Sequence, residues 1–242
     1  MKRYLSIGLN YAKTPYRLLD CEMDAMAIQQ VAIQAGYSGA ALFQCSASEF
    51  ISQINDIRDN ARHGDTTLIS FSGHGTQWDG VEEKDRMEEG LCFWNGNGIE
   101  VMQDNDFRAL INTIPGTVYV FLDSCFSGGM ARSLRGRPKL SGSWSGRFVQ
   151  FENDFRMVDC GSETTPRLLL TNRQYYLLAC SESEVSWSTG TGGLFTKTFL
   201  EKYRTAKSRT IKNIMSLTRK DCHPDQTPIW EIFGGAASKK IF

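Results

Sequence analysis

The chain carries no surplus of charge: 27 Lys and Arg stand against 27 Asp and Glu, for a formal net charge of zero. A protein held to nucleic acid by phosphate contacts needs a basic excess, so no nucleic-acid partner is expected. No apolar run approaches the length that crosses a bilayer, so no membrane partner is expected either. The opening residues, MKRYLSIGLNYAKTP, hold only a very short apolar core and no small-residue cleavage site, and do not read as a secretory signal. Cysteines number 7, an odd count, and no two stand as C-x-x-C. That suits a reducing compartment better than a disulfide framework or a zinc site, and a cytoplasmic location is expected. Histidine is scarce as well: His63, His74 and His223 are all there are.

What is present is an ordinary globular composition, 41% apolar over 242 residues. It suits one large α/β domain and leaves a second, small one open. Thr117 to Gly129, TVYVFLDSCFSGG, begins as a continuous apolar, β-rich run and ends at Asp123-Ser124-Cys125 before two glycines. Such a run predicts a strand buried on both faces. Thr67 to Gly75, TLISFSGHG, has the same design and ends on His74 between glycines. Open parallel sheets keep their ligand crevice at the carboxyl ends of strands. If these two strands are parallel neighbours, His74 and Cys125 meet at one rim.

The rest of the pattern alternates. Strands are predicted at Tyr4–Leu9, Ala40–Gln44, Leu91–Trp94, Tyr175–Cys180 and Pro228–Phe233. Helices are predicted at Cys21–Ala35 (inward face Met23, Ala27, Ile28, Val31, Ala35; Gly36 as C-cap), after a Ser48 cap, after Asp104 or Asn105, at Gly193–Ala206 and at Ile211–Leu217. The acidic segment Gln77–Gly90 reads as a loop, and Ala131 to about Arg173 as mostly irregular. Strands alternating with helices predict a mostly parallel, doubly wound sheet with helices on both faces.

A thiolate attacks carbonyl carbon far better than a thiol, and an imidazole is the usual proton acceptor. It must also return a proton to the leaving amine. The N–H groups of Gly75 and Cys125 are candidate oxyanion donors. Taken singly, a cysteine at a strand end is ordinary packing and a histidine beside glycine an ordinary loop residue. The matched endings, and the unpromising settings of His63 and His223, favour the pair His74 and Cys125.

Phe71-Ser-Gly-His-Gly75 and Asp123-Ser-Cys-Phe-Ser-Gly128 resemble the paired motifs of caspase-like cysteine peptidases, closest to metacaspases and orthocaspases. Cys21-Glu-Met-Asp24-Ala25, Leu177–Glu184, Gly193-Leu-Phe-Thr196 and Gln226-Thr-Pro228 extend the resemblance over nearly the whole chain. It implies a caspase-like (caspase-hemoglobinase) fold in one peptidase domain, 1–242. Within it, residues 1–130 would be large-subunit-like, 131–173 an irregular linker and 174–242 small-subunit-like. It also implies a dyad of nucleophile Cys125 and base His74. A pocket for a basic P1 side chain would form from Cys21, Asp24, Ser72 and Asp123, and two carboxylates suit a guanidinium. The substrate would be a protein or peptide with Arg or Lys at P1, and the chain a monomer. No cofactor is needed for the chemistry. The resemblance brings in calcium as an activator, with Glu88, Glu89, Asp104 and Asn105 as ligands and Asp85 and Asp106 nearby. A solvated acidic loop plus a helix N-cap accounts for the same residues equally well. Arg132, Arg135, Arg137, Lys139 and Arg147 are candidate self-cleavage sites in the irregular segment. Two rivals stay open: an inactive caspase-like binding scaffold, and a serine hydrolase using Ser127, whose Cys125-Phe-Ser127-Gly-Gly129 resembles G-x-S-x-G.

Overall fold

A computed structural model describes residues 1–79, 87–125, 145–149, 155–158, 172–181 and 184–241. In chain order the elements are β1 (Lys2–Gly8), α1 (Cys21–Gln34), β2 (Ser38–Phe43), α2 (Ala47–Asn60), β3 (Thr66–Ser72), β4 (Gly75–Asp79), β5 (Met87–Trp94), β6 (Ile99–Gln103) and α3 (Asp104–Asn112). They continue with β7 (Thr117–Asp123), β8 (Ser145–Gly146), β9 (Phe155–Met157), β10 (Arg173–Leu178), β11 (Trp187–Ser188), α4 (Leu194–Thr205), α5 (Ile211–Asp221) and β12 (Ile229–Phe233).

Among the described residues the central sheet has the order β12-β10-β7-β3-β1-β2. Every pair in it is parallel except β10 with β12. The continuous apolar runs of β3 and β7 place them at its centre, where both faces need covering. Side chains alternate accordingly. Val118, Val120 and Leu122 join Ile69, Phe71, Phe50 and Phe107 in a core beneath α2 and α3. Tyr119 and Phe121 join Leu68, Ile28, Phe195, Phe199 and Ile214 in a second core beneath α1, α4 and α5. Phe121 stacks on Phe195 at 4.6 Å and meets Phe199 edge-on at 4.9 Å, which locks α4 to the sheet. Helices therefore flank both faces of a mostly parallel sheet, as the alternation predicts.

Several local expectations shift. In α1, Cys21, Asp24, Ala25, Ile28, Val31 and Ala32 turn inward, while Met23 is exposed. A carboxylate takes the inward place of a methionine because Asp24 is engaged at the site described below. Ser46, not Ser48, caps α2: its side chain accepts from the Glu49 N–H, and Glu49 accepts from the Ser46 N–H at 2.8 Å. The acidic stretch expected to be a loop supplies the end of β4 and the start of β5, two strands that pair antiparallel from Gly75 opposite Leu91 to Asp79 opposite Met87. Pairing satisfies the backbone whatever the composition, and buried Glu88 accepts from the Gln103 amide. The segment expected to be irregular contributes the short strands β8 and β9.

Candidate active site

Ser72 lies opposite Asp123 in the β3–β7 register, so both strands leave the sheet at the same edge. His74 and Cys125 each follow two residues later, and both are buried. A Cβ on Gly75 would fall 1.8 Å from the Cys125 carbonyl oxygen. Only glycine lets these two backbones lie against each other. The neighbourhood expected from the two strand endings is thus present in the backbone.

His74 is held from three sides. Its N–H donates to the Tyr11 hydroxyl at 2.9 Å, which itself donates to the Cys92 carbonyl at 2.6 Å. The Tyr11 and His74 rings lie 4.8 Å apart. Nε2 is 2.6 Å from the Tyr16 carbonyl oxygen. A carbonyl only accepts, so Nε2 carries the proton and Nδ1 is left basic. Nδ1 is buried and has no hydrogen-bond partner among the described residues. Burial pushes the His74 pKa down to about 4, against the upward pull of the Tyr16 and Arg147 backbones. The ring is therefore neutral near pH 7. At Cys125, Sγ accepts from the Ser186 N–H at 3.1 Å.

Between these strand ends and the start of α4 sits Arg147, with no exposed surface. Nη1 donates to Ser72 Oγ at 2.8 Å and to the Asp123 carbonyl at 3.0 Å, and pairs with the Asp123 carboxylate at 2.9 Å. Nη2 reaches Asp24 at 2.6 Å and Asp20 at 3.1 Å. Each carboxylate also clamps the segment that closes the pocket. Asp20 accepts from Ser188 Oγ and the N–H groups of Gly190 and Gly192. Asp24 accepts from the Gly193 N–H, and Asp123 from Ser186 Oγ and both the N–H and hydroxyl of Thr196. Three carboxylates share one guanidinium, and the surplus charge shows. Burial, with the Asp123 charge adding to it, raises Asp24 to about 6 although Arg147 opposes the shift. Burial also pushes at Asp20, but Arg147, Ser188 and the loop amides outweigh it and its pKa is lowered. Burial lifts the Cys21 thiol to about 12, so Cys21 lines the pocket as a neutral group.

The backbone around Arg147 is equally fixed. Gly146 pairs with Trp187 and Ser145 with Ser188, antiparallel. The Arg147 N–H donates to the Ser186 carbonyl at 2.9 Å. On the other side the Gly75 N–H donates to the Arg147 carbonyl at 3.0 Å, and the Val149 N–H to the Gly75 carbonyl at 3.1 Å. The donor expected to hold an oxyanion is thus occupied by the carbonyl of an arginine whose side chain fills the pocket expected for P1. Residues 145–149 cross between the two strand ends, paired to β11 at Ser145 and Gly146, bent at Arg147 and bridged to Gly75 at Phe148.

Cys21, Asp24, Ser72 and Asp123 therefore converge, and Arg147, expected as a self-cleavage candidate in an irregular linker, is fully buried among them. Asp20, Tyr11, Tyr16 and Ser186 were not anticipated. For Asp20 the available signal was an acid directly before α1; the Ser186–Gly193 run, SWSTGTGG, signalled a segment of small hydrogen-bonding residues. Arg132, Arg135, Arg137, Lys139 and Ser127 lie outside the described residues, as does Asp85. Buried Glu88 is bonded to Gln103, Asp104 accepts from the Asn105 N–H at 2.7 Å, and Glu89 and Asp104 border a small cavity with Arg108 and Glu231. No group of three or more His, Cys, Asp or Glu able to hold a metal occurs among the described residues.

Comparison with known proteins bears on the fold and on the family. A crystal structure of a protein from Geobacter sulfurreducens superposes with a TM-score of 0.79 over 97% of this chain and 94% of that one, at 22% identity, which speaks for the fold. The model of the caspase domain family matches residues 1–234, and the chain belongs to that family. Metacaspase-6 of Arabidopsis thaliana is 22% identical over 184 residues, 68% of this chain and 50% of that protein. Metacaspase-4 of the same plant is 25% identical over 145 residues, 53% of this chain and 34% of that protein. The chain thus spans at most about half the length of these relatives.

Proposed function

We propose that the chain is a cysteine endopeptidase that cuts after arginine or lysine and first cuts itself after Arg147. The observation that carries this reading is Arg147 itself: guanidinium among Asp20, Asp24 and Asp123, carbonyl on the Gly75 N–H. Cys125 loses its proton to Nδ1 of His74, and the thiolate attacks the carbonyl carbon of the basic residue. The Ser186 N–H steadies the sulfur, while the N–H groups of Gly75 and Cys125 receive the oxyanion. His74 then protonates the departing amine as the peptide C–N bond breaks, leaving a thioester. Water, deprotonated by His74, hydrolyses the thioester and restores the thiol. Tyr16 fixes the ring tautomer that makes this shuttle workable. Calcium is given no step.

Intact-mass measurement over time, paired with a peptide bearing Arg before a fluorogenic leaving group, tests the reading. Wild type should yield a fragment ending at Arg147 and turn over the peptide; Cys125→Ala should do neither. The chain's own arginine in the pocket also suits a retired enzyme whose cleft is permanently plugged. Absence of cutting and of turnover, with or without calcium, in protein that an arginyl electrophile fails to label would favour that scaffold and end the peptidase reading.

A further inference from the structure

The segment crossing the cleft also carries information about the residue before the arginine. Gly146 is held against one wall by its pairing with Trp187 and by the Arg147 N–H on the Ser186 carbonyl, and from the other side, one residue on, by the Gly75 N–H on the Arg147 carbonyl. It cannot withdraw from the wall it faces. A Cβ built on Gly146 would lie 2.8 Å from Cγ1 of Val185, with the Trp187 ring next at 3.8 Å. Such a contact forces something to shift, and little here can. Val185 is buried and β-branched, so its rotamers are few. Its neighbours are tied down: Ser186 Oγ donates to Asp123 at 2.5 Å, and the Glu184 carboxylate accepts from the Thr227 N–H and hydroxyl.

We infer that Val185 closes the subsite before the basic residue, so that the enzyme selects glycine at P2. The inference rests on the peptidase reading and on residues 145–149 lying as a substrate does. Overpacking of this size corresponds to discrimination of roughly ten- to a hundredfold.

Matched peptides with Gly, Ala or Leu before Arg and one fluorogenic leaving group test it. Expected kcat/KM favours Gly over Ala by roughly tenfold and over Leu by on the order of a hundredfold. In Val185→Ala the ratio of the Ala to the Gly peptide should rise toward one, whereas the near-isosteric Val185→Thr should keep the wild-type ratio. Equal cleavage of all three peptides by wild type overturns the inference and leaves the peptidase standing. No cleavage of any of them brings down the peptidase reading and this inference with it. A Gly preference that Val185→Ala does not relax removes Val185 as its cause. Should Val185→Ala fail to fold, the wild-type ratios still decide whether the subsite is closed.

Discussion

Two groups of acidic residues sit in this chain, and they differ in how they were assembled. Glu88, Glu89 and Asp104 lie on β5 and at the start of α3, where Glu88 accepts from the Gln103 amide, Asp104 accepts from the Asn105 N–H, and Glu89 and Asp104 border one small cavity. Asp20 and Asp24 lie about a hundred positions from Asp123, yet all three meet on one buried guanidinium. The first group forms no cluster able to hold a metal among the described residues; the second converges at a sheet edge on one buried guanidinium. The separating variable is topology, which brings β3 beside β7 and sets α1 over their ends.

The sharpest way to probe that contrast is to remove the cation. In a Cys125→Ala background, which keeps the chain whole, Arg147→Ala should cost about 3–5 kcal/mol in chemical denaturation by leaving three buried carboxylates unpaired. A loss under about 1 kcal/mol, the scale of an exposed ion pair, would mean the pocket opens to water when empty.

Next comes pH. The folded pKa of His74 is depressed to about 4, so its contribution is present above its unfolded pKa of roughly 6.5 and is lost as pH falls toward 4. The shift corresponds to about 3 kcal/mol. Asp24, raised to about 6, acts oppositely and adds stability as pH falls from about 6 to 4. In the same Cys125→Ala background, His74→Gln removes the first effect alone, so stability measured between about pH 6.5 and 4 should fall less steeply with the substitution than without it. Identical slopes would show that the imidazole is not buried neutral.

Within the pocket, Asp24→Ala should lower kcat/KM for arginyl peptides by roughly ten- to a hundredfold, the worth of a hydrogen bond to a charged group. Asp20→Asn should do the same, since Nη2 is shared between the two carboxylates. Unchanged kinetics in either would remove that residue from substrate recognition. At the low end, Asp104→Asn should change stability by no more than about 0.3–1 kcal/mol, as expected of a first-turn helix acid. A collapse of activity there would reverse the comparison.

The sheet and its flanking helices were legible in the sequence because a buried parallel strand must be apolar throughout and an amphipathic helix must be periodic. His74, Cys125 and Asp123 were legible because they end or follow such patterns, whereas Asp24 was singled out only by the resemblance of Cys21-Glu-Met-Asp24-Ala25 to the family's segment. Asp20 was not: nothing local separates it from any acid that precedes a helix, and its partners lie near Ser188 and Arg147. Arg147 was one of five basic residues in a stretch without period. Its burial follows from hydrogen bonds to Gly75 and Ser186, contacts no window of sequence contains. Met23 misled because its apolar side chain fits the helical period better than Asp24 does, and only the guanidinium beneath α1 explains the reversal.

The peptide lodged in the cleft belongs to the same polypeptide as the cleft. Its tenancy is unimolecular, so dilution cannot evict it, and an outside peptide competes against a tethered rival at high effective concentration. The lag before foreign peptides are processed should therefore be the same in dilute and concentrated samples, a clock set by the chain's own geometry.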